Sequence, residues 1–170
     1  MIDPASYVVF VVAALALLLT PGPAVLYIVA RSVDQGRMAG IVSALGVGLG
    51  SMVHVMAAAL GLSALLVSSA LAFNLVKFLG AAYLIYLGLQ KLREKVTVRE
   101  VTIDSTVPLG VIFRQGVVVN ILNPKTALFF FAFLPQFVDP VRGSVAVQIL
   151  ILGCTFVTLG IFSDSGYALL

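Results

Sequence analysis

The chain has 170 residues, 61% of them hydrophobic and only 10% charged, with a mean hydropathy of +1.16. A soluble domain carries roughly 25% charged residues, so this composition cannot build a water-facing surface and places the protein in a lipid bilayer. A net charge of +3 is too small and too scattered for nucleic acid, and the single cysteine, Cys154, excludes an internal disulfide and a thiolate-rich metal site.

Charge-free runs cover 4–30, 38–76 and 143–163. Spanning the hydrocarbon takes about 20 helical residues, so the first and third runs hold one crossing each. The second must hold a helix, a turn near 68–74 and the start of another helix, where Lys77 can snorkel to the head groups. The expected architecture is an all-α integral membrane protein with five visible crossings, at roughly 6–30, 39–66, 73–91, 111–134 and 144–164. The fourth contains Lys125 and is closed by Pro135. The N-terminus lacks the basic segment of a cleaved signal. Arg31, Asp34 and Arg37 are expected in the loop between the first two crossings. With Lys91–Arg99, they put both loops in the cytoplasm by the positive-inside rule and the N-terminus outside. Arg142, beside Asp139, is the one basic residue on the opposite side.

Leu19-Thr20-Pro21-Gly22-Pro23-Ala24 is echoed 103 residues on by Leu122-Asn123-Pro124-Lys125-Thr126-Ala127. A loop arginine and glycine follow each (Arg37 with Gly40, Arg142 with Gly143), and then a glycine within the next helix, Gly48 or Gly153. A unit of three helices repeated in this way is inverted in the membrane, the plan of many transporters. Repeat one covers about 6–91, a polar loop follows at 92–108, and repeat two covers about 109–170 with only two helices. The tail 163–166 reads as a loop, and a sixth helix is expected to be missing from the chain as given.

Pro21-Gly22-Pro23 lies just past the middle of the first crossing. Proline removes a donor and clashes with the preceding turn, and glycine loosens the rest, so the helix should break. Broken backbone at membrane depth survives only against protein or a wet cavity. Its free groups, with Thr20, are candidate ligands for a substrate; a simple packing kink is the alternative. Asn123-Pro124-Lys125 sits at the centre of the fourth crossing, where an ammonium suggests a functional site. Asn120, one turn earlier, shares a face with Asn123. The two asparagines are read as substrate ligands or as ties between helices. The two breaks are expected to meet at one cavity. Lys125→Met should abolish transport with little loss of stability.

Helix two carries Gly40, Ala44, Ser51, His54, Ala58 and Gly61 at near-helical spacing. This is a small-residue stripe for close packing, with Gly48 on the same helix and Gly80 on helix three. His54 should therefore face the bundle, as a hydrogen-bonded tie or, with Asp164, as a proton-coupling residue. Tyr83 and Tyr86 read as packing or interfacial residues. No catalytic triad, paired acid or glycine-rich loop after a strand is visible. No enzyme chemistry, cofactor or metal is expected.

Leu-Thr-Pro-Gly-Pro at 19–23, Gly36-Arg37 with Gly40, Gly46 and Gly48, and Gly80-Ala81-Ala82-Tyr83-Leu84 with Gly88 together resemble the LysE/RhtB amino-acid exporters. So do Phe113-Arg114-Gln115-Gly116 with Asn120, Asn123-Pro124-Lys125, and Pro135-Gln136-Phe137. The resemblance covers nearly the whole chain, in order. It implies export of amino acids or their derivatives across the bacterial inner membrane, by proton exchange, and a six-helix plan that this chain departs from by ending after the fifth. The partners so implied are a small amino-acid substrate, the bilayer and a second copy of the chain. Two other readings stay open. A related metal-ion exporter would want carboxylates inside the membrane, whereas Asp34, Asp139 and Asp164 fall at segment ends. A truncated, non-transporting membrane protein would not need the two mid-membrane breaks.

Overall fold

The computed structural model describes residues 2–69, 71, 74, 75, 78, 79 and 107–170. The third expected crossing, with Lys77, Gly80, Tyr83 and Tyr86, and most of the polar loop lie outside these residues or at their edge. The described elements are all helical. They are α1 (Pro4–Leu18), α2 (Pro23–Gln35), α3 (Arg37–Ser68), α4 (Leu109–Ile121), α5 (Pro124–Leu128) and α6 (Val145–Leu169). A wide π-type turn at Phe129–Phe133 and tight 3-10 turns at Leu134–Phe137 and Pro140–Arg142 link α5 to α6.

The ends follow from local chemistry. Asp3 caps α1 by accepting from the Ser6 N–H at 3.0 Å, with Pro4 at the first helical position, where its missing N–H costs nothing. Pro21 and Pro23 end α1 and restart the chain as α2. Gly36, at φ +85°, ends α2 in the left-handed region that glycine enters without strain. Asn123 and Pro124 do for α5 what Asp3 and Pro4 do for α1.

Among the described residues, α3 and α6 are long and apolar enough to cross a membrane alone. The pairs α1–α2 and α4–α5, the latter extended through the turns to Phe137, are bent by 52° and 49° at their breaks and add one span apiece if each pair is counted as one. The fourth expected crossing is thus two pieces, the second a short helix continued by wide and tight turns. Pro135 withholds one N–H, and the crowded Phe129-Phe130-Phe131 run widens the turn before it.

Helix α3 is the centre, packed against α2, α4 and α6. Where it crosses α4 the backbones touch. A Cβ on Gly46 would come within 2.3 Å of the Phe113 carbonyl oxygen, and one on Gly116 within 2.8 Å of the Ser43 carbonyl oxygen. Only glycine permits that approach. Gly40 meets Ser32 and Ala168, and Gly48 meets Ile161, whereas Gly61 faces open space. Gly40 and Gly48 thus lie against neighbouring helices, and Gly61 does not. The core joins Phe10 of α1, Phe129 and Phe130 beyond α5, and Ile149, Leu152 and Phe156 of α6, with Phe129 stacked on Phe156 at 4.2 Å. Large apolar side chains such as Leu60 and Phe162 point outward, as a lipid-facing surface requires.

Two sequence expectations need correction. The tail 163–166 is not a loop, because α6 runs on to Leu169. Its buried stripe Phe156, Val157, Gly160, Asp164, Ala168 keeps helical spacing through the polar residues, and that periodicity outweighs their low propensity. Asp164 is therefore inside the bundle and not at a segment end. Arg31 is likewise not in a loop: it lies in α2 and is buried, and the link to α3 is Gly36 alone.

Candidate functional site

The break between α1 and α2 leaves the last carbonyls of α1 without helical partners. Side chains take up four carbonyls at the break, those of Ala16 and Leu17 in the last turn of α1 and of Leu19 and Thr20 just past it. The Thr20 hydroxyl turns back to the Ala16 carbonyl at 2.8 Å. Lys125 donates from Nζ to the carbonyls of Leu17 at 2.6 Å and Thr20 at 2.5 Å. Tyr167, on α6, donates from its hydroxyl to the Leu19 carbonyl at 2.8 Å. The Lys125 ammonium thus sits at the negative end of the α1 dipole. The two breaks touch through this lysine, whose stem lies across Gly22, where a Cβ would be 3.1 Å from Lys125 Cδ.

The second break is held by Asn120, 1% exposed. Its amide donates to the Val47 carbonyl at 2.9 Å and the Ser51 hydroxyl at 2.8 Å, both on α3. Its side-chain oxygen accepts from the Thr126 hydroxyl at 2.9 Å and the Asn123 amide at 3.4 Å. His54 Nε2 donates to the Asn120 carbonyl at 3.1 Å, and its ring stacks on Phe130. Asn120 and His54 are therefore ties between helices. Asn123 accepts from the Lys125 N–H at 3.1 Å, capping α5.

Between the breaks lies a cavity of about 40 Å³, bordered by Gly22, Ala24, Val25, Asn123, Lys125 and Asp164 among others. A water needs about 10–15 Å³ on this scale, so the cavity holds a few waters and not an amino acid. Asp164 faces it with no hydrogen bond from any described residue, and its charge interacts with that of Lys125. The first turn of α2 faces it too. Gly22 offers that turn no side-chain cap, so its N–H groups and positive dipole end stay open. Of the residues expected at the site, Gly22, Asn120, Asn123, Lys125 and Asp164 border the cavity, whereas Thr20, Pro21, Pro23 and Pro124 shape the chain around it and are themselves exposed. Tyr167 has no sequence signal that would have marked it.

The LysE type translocator family profile matches residues 15–170. The chain belongs to the LysE-type translocators. It is 32% identical over 96% of its length to an uncharacterized membrane protein of Vibrio cholerae, covering 80% of that protein. It is 33% identical over 88% of its length to a leucine efflux protein of Salmonella typhimurium, covering 71% of it. To a homoserine/homoserine lactone efflux protein of the same organism it is 35% identical over 89%, covering 73%. No solved structure matches the chain significantly.

Proposed function

We propose that this LysE-type translocator exports amino acids or close derivatives across the bacterial inner membrane, through the cavity between the two breaks, in exchange for protons. The observation that carries the reading is the Lys125 ammonium on the Leu17 and Thr20 carbonyls, in one cavity with the Asp164 carboxylate and the uncapped start of α2. A zwitterion carries the same two groups. Its ammonium can take the carbonyls that Lys125 holds, and its carboxylate can take the α2 N–H groups and the released lysine. Asp164, protonated or charged, balances the site as cargo comes and goes. A cavity this small cannot hold an amino acid, so loading requires α1–α2 to move away from α5 and α6. Efflux names on relatives at about a third identity support the class. The orientation follows the positive-inside rule, with the Gly36 turn and the Arg37 start of α3 on the cytoplasmic side.

The test is exchange of labelled leucine and homoserine by proteoliposomes under an imposed pH gradient. Gradient-driven accumulation is expected. Asp164→Asn should keep leucine–leucine exchange and lose the response to the gradient. A wild-type protein that exchanges neither amino acid ends the export reading, and one indifferent to the gradient ends the proton coupling.

A further inference from the structure

Arg31 is 6% exposed and lies two turns along α2 from the cavity, on the side turned to α4. One terminal nitrogen, Nη2, donates to Gln115 Oε1 at 2.8 Å. The guanidinium carbon sits 5.7 Å from the centre of the Tyr27 ring. The Tyr27 hydroxyl donates to the Ile112 carbonyl at 3.0 Å and to Gln115 Oε1 at 3.3 Å. Gln115 and Tyr27 thus hold the guanidinium in one orientation. Its Nε and Nη1, however, are buried and find no acceptor among the described residues. Asp34, one turn on, is exposed and makes no ion pair with it. Apart from Gln115 and Tyr27 its surroundings include the fully buried Ile28 and Ile112.

A buried cation with unused donors is among the least favourable arrangements a protein can hold. Packing does not explain it, since a leucine would fill the space without the charge. The chemistry that would satisfy it is an oxyanion small enough to reach a planar fork, and a carboxylate fits that fork with two parallel bonds. A free ammonium or a metal ion would be repelled. The position adds direction: from Arg31 to Pro23 is eight residues of continuous α2, roughly 12 Å, between the central cavity and the Arg37 end.

We propose that Arg31, oriented by Gln115 and Tyr27, is a second carboxylate-binding site, which receives the cargo's α-carboxylate before it reaches the central cavity. This rests on the export reading for its cargo, but the site can be read without transport. The experiment is a titration of the purified protein carrying ¹⁵N-arginine, with the Arg31 Nε–H resonance assigned by its loss in Arg31→Lys and, should that variant not fold, in Arg31→Gln. The probes are sodium acetate, leucine, leucinamide and inorganic phosphate. Acetate and leucine should shift the resonance. Leucinamide, which keeps the ammonium and lacks the carboxylate, should bind about tenfold more weakly or worse, the loss of a charged hydrogen bond. An Arg31 resonance unmoved by acetate overturns the site, and one moved by phosphate alone assigns it to lipid head groups instead. If acetate shifts the resonance while proteoliposomes exchange no leucine, the carboxylate site stands and the export reading falls.

Discussion

The first break is finished by residues from distant parts of the chain, and the second by its own neighbours. At the first, a lysine from α5 and a tyrosine from α6 take up the carbonyls of α1, and Gly22 leaves the start of α2 uncapped. At the second, Asn123 caps α5 and Asn120 ties the break to α3. Alike in sequence, the two differ in what would have to let go for each to open. Opening the second breaks a network inside one tight pair of helices. Opening the first requires only that two long side chains be exchanged for a cargo's own groups. The comparison makes the second break the fixed wall of the cavity and the first its yielding side.

The comparison can be broken most severely at Asn120. Asn120→Leu strips the second break of its contacts to α3 and strands the Ser51 and Thr126 hydroxyls. It should cost about 2–4 kcal/mol, read as denaturant unfolding in micelles; a loss below that of Tyr167→Phe would make the wall no firmer than the gate. Lys125→Met comes next. It should abolish exchange and also cost about 1–3 kcal/mol, because the Thr20 carbonyl loses its side-chain donor and the Leu17 carbonyl keeps only the Thr20 N–H. That reverses the sequence expectation that methionine would be harmless to stability. Tyr167→Phe removes one bond to Leu19 and should cost about 1 kcal/mol, while speeding exchange if opening limits the rate. Gly22→Ser puts at the first break the kind of cap that the second already has. Stability should change by only a few tenths of a kcal/mol, but the filled α2 terminus should raise the KM for leucine; an unchanged KM removes that terminus from the site.

The smallest effect lies outside the membrane. The Ser6 N–H, and less so the Ser6 hydroxyl and Arg142, hold the Asp3 carboxyl below its ordinary 3.8. A carboxyl held low when folded adds stability above its unfolded value and loses it as pH falls through the folded one. Asp3→Asn should therefore flatten the decline in stability below about pH 4, by lowering stability slightly at neutral pH and leaving it nearly unchanged in acid.

The prolines made both breaks legible, because no continuous helix tolerates them and no other residue signals so plainly. Lys125 was legible as costly at its depth, and the repeat brought the breaks together on paper. What the sequence could not carry was the accounting of partners. Whether Asn120 binds cargo or ties helices depends on which groups lie across a crossing that Gly46 and Gly116 draw unusually tight. Arg31 was misread because a basic residue near a run's end looks like a loop, whereas Tyr27 and Gln115 hold it inside. Asp164 was misread because composition was weighed over period in 163–166. In each case a long-range contact overruled a local rule.

The lysine that finishes α1 also sets an order on how the protein is made. Lys125 lies 108 residues after Leu17, so when the first bent pair enters the membrane its donor has not yet been synthesised. Until α5 arrives, the carbonyls at the first break must stay hydrated or sheltered by the insertion machinery. The first bent pair therefore reaches its final seat only after α4 and α5 have entered. A chain halted before residue 125 should present that break open, and a quality-control protease could recognise it there.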